Sequence, residues 1–136
     1  EKILLQQSQF VARSLRKNAL RARTITLKIK QADFKQFTRN KTITTPTQSS
    51  ETIYKAVVAL LERCRLKQKI RLIGVGASGL INDAAPVQMD MFASPADSGE
   101  NTWEKVDQAL DRITRKFGDH AIRRASLAGI PRDRKP

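Results

Sequence analysis

Gln88-Met89-Asp90-Met91-Phe92 joins a side-chain amide, able to donate and accept, to two adjacent large apolar groups, Met91 and Phe92, within a stretch of low charge. In an extended segment this pattern suits docking into a pocketed partner, because the amide pairs buried polar groups while the apolar pair leaves water. The competing reading is an edge strand, in which Val87, Met89 and Met91 alternate with Gln88, Asp90 and Phe92. Gly74-Val75-Gly76-Ala77-Ser78-Gly79 spells G-x-G-x-x-G, the pattern of a dinucleotide cradle. A cradle needs a helix to begin inside the motif, and Asn82 to Pro86 breaks helix at once. These glycines are better suited to bringing backbone amides close to a nucleic-acid phosphate. His120, the only histidine, has no nucleophile-and-base arrangement beside it in sequence and reads as a solvated helix residue. Cys64 lacks a Cys or His partner at metal-ligand spacing, which fits core filling in a reducing compartment. The acids of residues 1–80 (Glu1, Asp33, Glu51, Glu62) are too scattered to hold the two metal ions that nucleotidyl transfer uses. No catalytic and no metal-ligating residue is expected in this chain.

Charge points to the partner instead. The net charge is +13, and residues 1–80 hold 17 Lys and Arg against 4 Asp and Glu, while residues 81–136 hold 9 against 9. All of the excess therefore lies in the first part, an electrostatic footprint for a polyanion. Neither an apolar span nor a lipidation motif is present, so nucleic acid is the expected partner and a membrane is not. With 136 residues and 40% hydrophobic content, one modest domain with appendages is expected. The chain opens at Glu1 without a cationic start and apolar run, so no signal peptide is expected, the location is expected to be cytoplasmic, and the chain reads as a fragment.

The elements that would position these residues follow from periodicity. Residues 2–18 read as a helix with Leu4, Leu5, Val11, Ala12 and Leu15 on one side. From Arg23 to Lys30 the period is two, with Ile25, Leu27 and Ile29 facing inward and Thr24, Thr26, Lys28 and Lys30 outward. A connection containing Asp33, Phe34 and Phe37, the two rings read as core, leads to a second strand over Thr38–Thr44 that ends before Pro46 and pairs antiparallel with the first. Ser49 or Ser50 caps a helix ending near Leu66. Lys69–Val75 is a third strand that the following glycines loosen. The expected divisions are a domain over 1–80, a linker over 81–101 carrying the docking peptide 88–92, and a helical tail over 102–136. Asn101 and Glu104 cap that last helix, Trp103 anchors it within a stripe of Val106, Leu110, Ile113 and Phe117, and Gly118 stops it.

Arg21 to Lys30, the Asp33-Phe34 and Thr38-Arg39-Asn40-Lys41-Thr42 stretch, and Ile70 to Val75 closely resemble the little-finger domain of Y-family DNA polymerases, with the bacterial DNA polymerase IV branch the nearest match. Gln88 to Phe92 is similar to that branch's sliding-clamp motif, and Lys116 to Ile122 with Arg124 to Leu127 is similar to tails that follow it in some members. The resemblance implies an α+β fold, an antiparallel sheet covered on one face by two helices, and a sheet laid against template-primer DNA. The DNA-binding residues are then Thr26, Lys28, Lys30, Thr38, Arg39, Lys41 and Thr42, which sit on polar strand positions and grip phosphates without reading bases. By the same resemblance, Gln88, Met89, Met91 and Phe92 are expected to dock on the bacterial sliding clamp. The palm, which would carry Mg2+ and the nucleotide, is absent from this sequence, so no cofactor is expected here. Two departures stand out. The family's domain opens with a strand that this sequence lacks, which implies an open sheet edge near Arg23–Lys30 or Ile70–Val75 and self-association through it. Gly76 and Gly79 stand where members often place Arg or Lys, so grip from the third strand falls to Arg71, Ser78 and backbone amides. The function implied is the DNA-gripping, clamp-docking part of a translesion polymerase. A stand-alone basic RNA- or DNA-binding module is the alternative.

Overall fold

The computed structural model describes residues 1–84 and 98–128. Helix α1 (Lys2–Lys17) buries Leu4, Leu5, Ala12 and Leu15, and its last turn carries Arg16 and Lys17, which suit the negative end of the helix dipole. Asn18 ends it, and Ala19 at φ 51 turns the chain into β1. Strands β1 (Leu20–Gln31) and β2 (Gln36–Thr47) form a hairpin, followed by α2 (Ser50–Glu62) and β3 (Ile70–Asn82). Helix α3 (Ser98–Phe117) and a 3-10 turn at Ala125–Leu127 complete the described elements.

The three strands form one antiparallel sheet in the order β2-β1-β3. Ile25, Leu27 and Ile29 are fully buried on one face, where they cluster with Leu4 and Leu15 of α1 and Ile53, Val57 and Leu60 of α2. Burying each such side chain contributes about 1.5–3 kcal/mol, so this face fixes the register of β1. The α+β architecture read from the sequence is the one observed, with helices α1 and α2 on a single face.

Several boundaries differ for physical reasons. β2 continues through Pro46, which an edge strand tolerates; the ladder to β1 is irregular there, stepping from Thr24↔Thr42 to Ala22↔Thr47. β3 does not loosen at its glycines but runs on to Asn82, because nearly all of it pairs with β1. β1 is the central strand, so an open edge at Arg23–Lys30 is ruled out, and among the described residues the sheet edges are β2 and β3. Helix α2 stops at Glu62, leaving Leu66 outside it; Cys64 is a half-buried free thiol that donates to the Leu60 carbonyl oxygen. Helix α3 begins at Ser98, so Asn101 lies inside the helix rather than at its cap. It stops before Gly118, whose φ of 92 favours glycine. His120 lies exposed in the turn beyond.

The face by which α3 docks is also not the apolar one. Glu104 and Asp107 are buried, whereas Trp103, Val106, Ile113 and Phe117 are exposed. Asp107 accepts hydrogen bonds from the Ser50 amide and hydroxyl, both 2.7 Å, and pairs with Arg16 at 3.2 Å. A carboxylate from α3 thus sits on the positive N-terminal end of α2, next to the cap that Ser49 supplies to Thr52. Arg16 also pairs with Asp111 and donates to the Gln48 carbonyl oxygen.

Candidate nucleic-acid interface

Because opposed residues of an antiparallel ladder share a face, the register lays out the side of the sheet that no helix among the described residues covers. Across β2-β1-β3 it reads Gln36-Lys30-Leu72, Thr38-Lys28-Gly74, Asn40-Thr26-Gly76 and Thr42-Thr24-Ser78. Amides and hydroxyls fill the β2 side, two lysines rise from the centre, and the β3 side is low where Gly74 and Gly76 replace side chains. A Cβ on Gly74 would meet nothing within 4 Å, and one on Gly76 would make an ordinary 3.8 Å contact with the Thr26 Cβ. The fold does not need these two glycines, and their absence of side chain leaves backbone open to a ligand. Gly79 is different, with φ at +62 and a virtual Cβ 3.2 Å from the Arg23 Cβ.

The expected DNA-binding residues divide by face. Thr26, Lys28, Lys30, Thr38, Thr42 and Ser78 share the uncovered face. Arg39 and Lys41 stand opposite Leu27 and Ile25 and so rise from the other face of β2, exposed at the sheet edge. Arg71 stands beside the hairpin tip, its guanidinium 4.6 Å from the centre of the Phe34 ring. Phe37 packs against the core as expected, but Phe34 does not: it is 60% exposed. Its place in a three-residue turn, with no apolar partner at strand spacing, is the signal that could have found it. Gln88, Met89, Met91 and Phe92 lie outside the described residues.

Ion pairing sorts the charge. On the helix side Arg13 pairs with Asp119, Arg16 with Asp107 and Asp111, and Arg124 with Glu51. Arg21 pairs with Asp83 and, bidentately, with Glu104 at 2.8 and 3.1 Å. Burial alone would lower the Arg21 pKa, but the hydrogen bonds it donates to Glu104 and Asp83, together with their negative charge, outweigh it and the pKa is raised. The acids of the second half therefore neutralise arginines of α1 and the start of β1. Lys28, Lys30, Arg39, Lys41 and Arg71 have no carboxylate partner among the described residues. Nor do the described residues contain a group of three His, Cys, Asp or Glu placed to hold a metal ion, or a helix long and apolar enough to cross a membrane. The G-x-G-x-x-G lies inside β3 and opens no helix.

The impB/mucB/samB family C-terminal domain matches residues 1–91. DNA polymerase IV of Alkaliphilus oremlandii is 40% identical over 131 residues, covering 92% of this chain and 33% of that relative. The DNA polymerase IV of Desulfatibacillum aliphaticivorans is 36% identical over 127 residues, covering 93% and 32% respectively. That of Pelotomaculum thermopropionicum is 32% identical over 136 residues, covering 97% and 32%. The chain thus spans about a third of the length of these relatives.

Proposed function

This chain belongs to the impB/mucB/samB family through that C-terminal domain, and on that premise we propose that it is the DNA-holding and clamp-docking part of a translesion DNA polymerase of the Y family. The observation that carries the reading is the uncovered sheet face, where Lys28 and Lys30 stand unpaired among Thr24, Thr26, Thr38 and Thr42 beside the low glycine strip of β3. Ammonium groups and hydroxyls of this kind bind phosphate oxygens and carry no base code, so template-primer DNA is held whatever its sequence. That suits an enzyme meeting damaged templates, where base-by-base readout fails. Gly74 and Gly76 let a phosphate approach the β3 backbone, and Ser78 and Arg71 extend the grip along that strand. Arg39 and Lys41 act past the free edge of β2 and contribute less. Nucleotidyl transfer and the Mg2+ it uses are assigned to parts of the polymerase outside this sequence, which spans about a third of the length of its relatives.

Gln88, Met91 and Phe92 dock on the bacterial sliding clamp, with Met89 between them. Titrations of the 136-residue chain with fluorescent primer-template DNA and with a bacterial clamp test both halves. We expect DNA binding with little sequence preference and a log K against log salt slope near −5, for about six phosphates neutralised. Phe92→Ala should weaken clamp binding about thirtyfold, the loss of a buried anchor, and leave DNA binding unchanged. A flat salt response contradicts DNA holding, and clamp affinity that survives Phe92→Ala contradicts docking.

A further inference from the structure

Phe34 occupies the tip of the β1–β2 hairpin at φ 65, a conformation ordinarily taken by Gly, Asn or Asp and strained for a bulky aromatic residue. Burial does not hold it there, for the residue is largely exposed. The turn around it does. The Gln31 amide donates to the Lys35 carbonyl oxygen at 2.9 Å, the Phe34 amide to Gln31 at 3.0 Å, and the Ala32 amide to Lys69, just before β3, at 2.9 Å. Asp33 is committed locally, accepting from the Lys35 amide at 3.2 Å and pairing with the Lys35 Nζ at 3.6 Å.

Two cations converge on the ring, the Arg71 guanidinium at 4.6 Å from its centre and the Lys30 Nζ at 5.2 Å. Neither has a carboxylate partner among the described residues, so two like charges share one ring with no acid there to relieve their repulsion. An anion placed there would relieve it. The approach to β3 adds exposed Arg63, Arg65, Lys67 and Lys69, which raise the positive potential at this end of the sheet. Lys30 also belongs to the uncovered face, so the tip is continuous with it.

We propose that Phe34 is a positioning residue for a phosphate site at the hairpin tip, its ring holding Lys30 and Arg71 ready for one backbone phosphate of the bound DNA. The inference rests on the DNA-holding reading and extends it beyond the flat of the sheet. Cation–π attraction restrains two flexible side chains before binding, which lowers the ordering cost when the phosphate arrives, and it does so without adding charge.

The test is a salt series of anisotropy titrations with primer-template DNA, alongside thermal melting, on the 136-residue chain and its Phe34→Asn, Phe34→Trp, Arg71→Ala and Lys28→Ala variants. Phe34→Asn should melt at the same temperature or higher, because Asn accepts the left-handed turn, yet bind about fivefold more weakly with an unchanged salt slope. Phe34→Trp should restore binding. Arg71→Ala should weaken binding and lower the slope by about one, and Phe34→Asn on top of it should cost less than the two changes summed. Steep wild-type binding with Phe34→Asn unchanged and Lys28→Ala weakened would overturn this inference alone. So would loss of binding in parallel with loss of stability. A wild-type chain without salt-dependent binding would overturn the DNA-holding reading and this inference together.

Discussion

Leu27 and Lys28 are adjacent, yet the first faces Arg39 and the second Thr38, so two neighbouring cations of the β1–β2 ladder, Lys28 and Arg39, rise from opposite sides of the sheet. Period two in the sequence established which β1 residues face solvent. It could not say which β2 residues join them, because β2 is polar on both faces and its pattern does not reveal which side is which. The glycines of β3 divide in a similar way once the backbone is known. Gly74 has open space above it, so Gly74→Arg should leave the melting temperature nearly unchanged while tightening DNA binding and steepening the salt slope by about one, readable in the same titrations. Gly79 is held at φ +62 against Arg23, and Gly79→Ala should destabilise the fold by about 1–2 kcal/mol in chemical denaturation.

The elements themselves were largely legible, since α1, β1 and α2 each bury one clear apolar face. Helix α3 was legible in existence and misleading in orientation. Its Trp103, Val106, Ile113 and Phe117 repeat as a packing stripe would, but the contact that fixes it is the Asp107 carboxylate on the N-terminus of α2 and on Arg16, a pairing 91 residues apart that no local pattern encodes. Asp107→Ala would leave the Ser50 amide and hydroxyl unpaired in a buried site and take from Arg16 one of its two carboxylates, and should cost about 2–3 kcal/mol in urea unfolding. Stability unchanged by this substitution would contradict the docking described. The free edge of β3 has its own consequence. Ile70, Leu72 and Leu80 are exposed along it, and a groove lined by Phe10, Val11, Leu15, Ala77 and Leu80 runs beside it. Edge pairing between copies should therefore appear as dimer in sedimentation at high salt, where cationic repulsion is screened, and as monomer at low salt. Monomer under both conditions would contradict it.

Across the whole molecule, the +13 charge is distributed by folding rather than spread evenly. Glu104, Asp107, Asp111 and Asp119 of the second half meet Arg13 and Arg16 of α1 and Arg21 at the start of β1, and the same Arg21 guanidinium holds Asp83, before Gln88–Phe92 in the chain, and Glu104, after it. Lys28 and Lys30 on the uncovered sheet face, and Arg71 at its tip, have no carboxylate partner among the described residues. Sequence alone located the excess in residues 1–80, but it could not separate the paired arginines of α1 from the unpaired lysines of β1, because their partners come from the other half of the chain. The most direct measurement compares Lys28→Ala with Arg13→Ala in salt-dependent binding to primer-template DNA. Both remove one positive charge from exposed positions, one on the uncovered face and one, paired to Asp119, on the helix side. Lys28→Ala should weaken binding several-fold and lower the salt slope by about one, while Arg13→Ala should leave both unchanged. Equal losses from the two variants would mean that binding follows net charge rather than this face, contrary to the account given.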